Sequence, residues 1–180
     1  MSEELNELKE HAEHAKENPA LAPVSVTMAI LAVLVAVVSL LGHRAHTEEV
    51  VLQAKASDEW AHYQAKNIRK HTDEMYNDLT AVQPTTDAAK LATLRDKYTQ
   101  ESERYKGEMK ELEDHAHEFE GEVKMERGRA DRYDLAEVFL EVGLVITSIT
   151  LLSGRRIFWL LGIALGAAGV VLAATGFLIH

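Results

Sequence analysis

The 180-residue chain carries 29 acidic against 19 basic side chains, a net charge of −10, and no cysteine. That balance excludes a nucleic-acid partner, whose phosphates it would repel, and the missing thiols exclude a disulfide framework and a thiolate metal site. Its 47% hydrophobic and 27% charged residues are segregated along the chain rather than mixed, the pattern of a membrane protein rather than a soluble globule.

Residues 1–18 read as a short acidic helix. Leu5, Leu8, Ala12 and Ala15 give it one weak apolar stripe, and Pro19 and Pro23 end it. With six Glu and two Lys it does not suit an anionic membrane surface, and the missing basic start argues against a cleavable signal. The first transmembrane helix is expected over 24–42. Val24–Leu41 is 18 residues without a charge, roughly 27 Å of helix at ~1.5 Å per residue, close to one hydrocarbon thickness.

Residues 43–134 hold 21 acidic and 15 basic side chains and read as an extramembrane helical hairpin. In its first arm Val51, Ala54, Asp58, Ala61, Ala65, Ile68, Thr72, Met75, Leu79 and Val82 recur at 3- and 4-residue steps. That is a coiled-coil seam, interrupted at Asp58 and Thr72. The segment 83–87 is the turn: Pro84 stops the first arm, and Thr86 or Asp87 can cap the second. The second seam runs through Leu91, Leu94, Tyr98, Tyr105, Met109, Leu112, Ala116, Phe119, Val123, Ala130 and Tyr133, with Glu101 and Glu126 at positions expected to be apolar.

Residues 135–152 form the second expected span and contain Glu137 and Glu141. A tight basic turn, Ser153–Arg156, leads to a third span over 157–179, which is uncharged and has Trp159 near its start, where an interfacial aromatic belongs. The fold class that follows is an all-α membrane protein: three transmembrane helices with a long antiparallel helical hairpin, a coiled coil, projecting from the membrane.

The stretch SLLGHRAHTEEVVLQAKASDEWAHYQAKNIRKHT, residues 39–72, followed by the acidic second arm and the Glu-containing span, resembles a family of small bacterial inner-membrane proteins defined only as a domain of unknown function. Trp60, Tyr63, Gln64 and Lys66 make the resemblance more specific than a generic coiled coil would be. It implies an N-terminal span, a helical middle and two C-terminal spans, and it carries no known activity.

Four constellations bear on function. Glu137 and Glu141 lie four apart on one helix face. Carboxylates are costly in hydrocarbon, so they either serve an ion or proton pathway or rest in the headgroup zone or against neighbours such as Thr147 and Ser148. Gly162, Gly166, Gly169, Ala173 and Gly176 step by 4, 3, 4 and 3 along the last span, a small-residue face suited to close helix packing. His11/His14 and His43/His46 are i,i+3 pairs, and Glu59–His62 and Asp114–His117 have carboxylate-x-x-His spacing. With the turn centred near residue 85, the last two motifs would stand about ten residues apart, roughly 15 Å. No metal or other cofactor is expected from these histidines within one hairpin. Finally, no phosphate loop or nucleophile elbow is present, so no enzyme is expected.

The function expected is a self-assembling, membrane-anchored hairpin acting as a structural or interaction scaffold. Its partners would be the lipid bilayer, further copies of itself and a protein at the hairpin. The alternative is an oligomeric ion or proton channel or transporter using Glu141 and Glu137. The two arginines of the short Ser153–Arg156 loop favour a cytoplasmic N-terminus and an extracytoplasmic hairpin. Arg44, Arg127, Arg129 and Arg132 near the membrane on the hairpin side pull the other way.

Overall fold

The computed structural model describes residues 21–82 and 87–179. Among them it has three helices and no strand: α1 (Ala22–Val82), α2 (Ala88–Ser153) and α3 (Arg156–Gly176). Each is long and apolar enough over part of its length to cross a membrane. The helix expected over 1–18, with His11 and His14, and the turn residues 83–86 lie outside the described residues.

The helix ends follow local chemistry. Pro23 sits in the first turn of α1, where its missing N–H costs nothing. Asp87 caps α2: its Oδ1 accepts the Lys90 amide at 3.0 Å. α2 ends on Gly154, whose φ of +65° is the left-handed conformation a side chain would resist. The Gly154 amide returns to the Thr150 carbonyl at 2.9 Å, so the chain reverses within two residues.

The chain divides into two compact units. The first joins the described residues up to Glu48 with those from Met125 onward. It contains the three apolar segments and a core of Leu31, Val38 and Ala45 from α1, Ala130, Tyr133, Ala136 and Leu140 from α2, and Ala173 from α3. Here α1 and α2 run antiparallel, and the His46 imidazole bonds the Asp134 carboxylate at 3.0 Å. The second unit, Glu49–Lys124, pairs the remaining lengths of α1 and α2, also antiparallel.

In the second unit the α2 seam is largely the expected one. Tyr105, Met109 and Ala116 are buried, while Leu94 is exposed. The α1 seam is not the expected one. The residues facing α2 are the neighbouring helical row, one or two positions on: Leu52 and Ala56 are buried, Trp60, Tyr63 and Lys66 partly so, and Asp73 buried again. Ile68 (67% exposed), Met75, Leu79 and Val82 of the expected row face outward. Side-chain size accounts for the choice. The expected row is rich in alanine, whereas Trp60 and Tyr63 bury far more area and also reach partners. The Trp60 indole N–H donates to Glu120 at 2.9 Å, Lys66 pairs with Glu108, and Asn77 donates to Thr99 at 3.1 Å.

These pairs also correct the register. They are centred near residue 88 rather than 85, because the second arm starts only at Ala88. The Glu59–His62 and Asp114–His117 motifs therefore stand level with each other, not about ten residues apart. Their side chains still diverge. His117 bonds Glu120 at 3.0 Å and sits edge-on to Trp60, with ring centroids 5.3 Å apart, whereas His62 and Asp114 are exposed. Among the described residues, no three His, Cys, Asp or Glu side chains gather to hold a metal.

Candidate functional site

The site begins with the contact between α2 and α3. The buried residues of α3 are Gly162, Gly166, Gly169, Ala173 and Gly176. A Cβ at Gly162 would fall on the Thr147 hydroxyl and lie 2.7 Å from the Gly143 carbonyl. One at Gly166 would lie 2.5 Å from Leu31 of α1, and one at Gly169 2.8 Å from Leu140. Hydrogen in place of a side chain is what lets the backbones approach. The α2 half of this contact includes Gly143 and Thr147, and Thr150, one turn on, is buried too; the three step by 4 and 3. Sequence reasoning missed Gly143 and Thr150, although their spacing mirrors the α3 pattern. Thr147 donates to the Gly143 carbonyl at 2.7 Å, which satisfies its hydroxyl inside the contact. In the first turn of α3, the Trp159 indole donates to Thr27 of α1 at 3.0 Å.

Glu137 and Glu141 belong to a different face of α2. The buried face is Tyr133, Ala136, Leu140, Gly143 and Thr147; Glu137 is half-buried and Glu141 is exposed. By helical spacing Asp134, Glu137, Glu141 and Ser148 form one polar stripe, stepping by 3, 4 and 7. Asp134 is held by His46. Thr147 and Ser148 spend their hydroxyls on the Gly143 and Val145 carbonyls and so do not serve the glutamates. Glu141 thus stands near the middle of the 135–152 apolar segment, on the outer surface of the chain.

A third feature was not visible in the sequence. A cleft of about 730 Å3 opens where the apolar segments end, between Leu41–Glu48 of α1, the Glu126–Tyr133 turns of α2 and Phe177. Arg129 builds one wall. Its Nε and Nη2 donate to the Ile179 carbonyl at 3.0 and 2.9 Å, while Nη1 pairs with Glu126. A cation at the carbonyl end of α3 also complements the helix dipole. Tyr133 and Phe177 meet edge to face beneath it, centroids 5.9 Å apart.

In the second unit the interhelical layer is polar and its carboxylates are tuned. The Lys66 ammonium holds Glu108 below the usual carboxylate range. The Trp60 and His117 hydrogen bonds do the same for Glu120. Asp73 is pushed the other way, by burial and by the neighbouring Glu101, against the pull of Lys97 and Arg104. Its Oδ2 and the Oδ1 of Asn77 are buried without a hydrogen-bond partner.

The class these features define is an all-helical protein with three helices able to cross a membrane and a polar helical pair outside the apolar segments. The model of the family described as a domain of unknown function, DUF4337, matches residues 20–179, and the chain belongs to that family. No curated protein and no solved structure matches it.

Proposed function

We propose that the protein is a membrane-anchored helical hairpin that self-assembles and acts as a scaffold, without a reaction of its own. The uncovered row of α1 carries this reading. Val51, Ile68, Met75, Leu79 and Val82 repeat at heptad-compatible steps and are exposed, although they lie outside the apolar segments. Contiguous apolar rows on a water-facing surface mark binding faces. The hairpin thus has two seams on α1, one spent within the chain and one open to a neighbour. The small-residue face of α3 is spent within the chain and leaves this row as the assembly surface. In a bacterial inner membrane, the Arg155–Arg156 loop favours a cytoplasmic N-terminus. Native mass measurement in detergent tests the assembly: wild type runs as an oligomer and Ile68→Lys with Met75→Lys as a monomer. A monomeric wild type overturns it.

One observation favours a second reading. Glu141 faces outward near the middle of an apolar segment, where a lone ionised carboxylate is costly. In an oligomer that stripe would line a polar path for a proton or cation, with Glu137 at its mouth. Ion flux in reconstituted vesicles, lost in Glu141→Gln, supports this reading; absence of flux in wild type removes it.

A further inference from the structure

The charges of the interfacial cleft divide into two sets. Arg129 and Glu126 are spent on each other and on the Ile179 carbonyl. Arg44 and Glu48, also lining the cleft, hold no ion pair or hydrogen bond among the described residues. They lie four apart and so project side by side, one helical turn from each other. Their order, cation before anion, is the weaker one for mutual pairing along a helix. The cleft therefore offers one unspent cation and one unspent anion about a turn apart. Beneath them lies an apolar floor of Leu41, Ala45, Tyr133 and Phe177. Arg44 follows the uncharged segment Val24–Leu41 by three residues, which sets the cleft at headgroup depth when that segment is in a bilayer.

We propose that this cleft binds the headgroup of a zwitterionic phospholipid bearing a primary ammonium, as in phosphatidylethanolamine. The Arg44 guanidinium takes the phosphate, a pairing suited to its donor fork. The Glu48 carboxylate takes the ammonium. The two-carbon linker between phosphate and ammonium spans a distance comparable to one helical turn. The glycerol and first acyl carbons rest on Tyr133 and Phe177. A purely anionic headgroup fits less well, because Glu48 and Glu126 would repel it. A trimethylated ammonium fits less well too, because it has no N–H to give Glu48. Basic clefts between membrane helices are established lipid-headgroup sites; the carboxylate beside the arginine is what selects the ethanolamine head here.

The test is native mass spectrometry of the full-length protein in mild detergent. Phosphatidylethanolamine, phosphatidylglycerol and phosphatidylcholine are added at equal concentration, and free phosphoethanolamine is used as competitor. The expected result is retention of phosphatidylethanolamine several-fold above the other two. Arg44→Gln and Glu48→Gln each reduce it about tenfold, the loss expected for one charge-assisted hydrogen bond, with helicity by circular dichroism unchanged. Equal retention of all three lipids overturns the proposal, as does retention unaffected by either substitution. Displacement by equimolar free phosphoethanolamine overturns the lipid as source and assigns the cleft to a soluble headgroup. If Arg44→Gln loses helicity, the lipid preference of wild type and its loss in Glu48→Gln decide alone. None of these readouts depends on the oligomeric state.

Discussion

Gly162 of α3 lies directly against Thr147 of α2, with no room between them for a methyl group. Gly162→Ala therefore forces α3 away from α2 and destabilises the first unit by about 1–3 kcal/mol, the usual cost of overpacking. Thr147→Ala in the same chain removes the clashing hydroxyl and returns part of that loss. The Gly143 carbonyl remains 2.7 Å from the added carbon, so the rescue is incomplete. Thermal unfolding in detergent of the two single variants and the double variant measures the coupling. Strictly additive losses would mean that the two residues do not touch.

Gly121 is the matching control. A Cβ there meets nothing within 4 Å, and the residue sits inside α2. Gly121→Ala should stabilise the second unit by about 0.5–1 kcal/mol through helix propensity alone. A loss of stability would show that the open space is filled in the assembly, and would place a partner helix at that position.

Asp73 and Glu120 titrate with opposite consequences for stability. Asp73 has its folded pKa raised, chiefly by burial. The folded chain then binds more protons than the unfolded one above the ordinary carboxylate value, so this contribution declines as pH rises through that window. Asp73→Asn should melt higher than wild type at pH 7, and the gap should close as pH falls below about 4.

Glu120 is held low by Trp60 and His117. Its contribution is present above the ordinary carboxylate value and is lost as pH falls through the depressed one. Trp60→Phe removes the 2.9 Å hydrogen bond and should move the Glu120 midpoint upward in a carboxyl-resolved NMR titration. An unchanged midpoint would assign the shift to His117 alone.

Trp159 and Thr27 join α3 to α1 through one hydrogen bond of 3.0 Å. Hydrogen bonds between membrane helices average about 0.6 kcal/mol. Trp159→Phe keeps the aromatic body and should lower stability by about that much. Thr27→Val also gives up the hydroxyl's 2.8 Å bond to the Pro23 carbonyl and should cost somewhat more, and the pair together no more than Thr27→Val alone. Unfolding of the three variants checks it.

Much of this was legible in the chain itself. Three uncharged or nearly uncharged stretches, the proline before Val24, the cap at Asp87 and the glycine at 154 define where helices run and stop, because hydrocarbon length and backbone chemistry act locally. The 4-3-4-3 spacing of Gly162, Gly166, Gly169, Ala173 and Gly176 marked a packing face for the same reason. Tertiary structure decided three other matters. On α1 two adjacent rows compete for α2, and periodicity cannot weigh an alanine row against Trp60, Tyr63 and Lys66 without knowing that Glu120 and Glu108 wait opposite. Register depends on where the second arm begins, and a pairing centre near residue 88 rather than 85 brings level two histidine motifs that a turn centred on 85 would set about ten residues apart. The interfacial cleft exists because Arg129 reaches a carbonyl fifty residues away at Ile179, a contact between distant segments that only packing brings together.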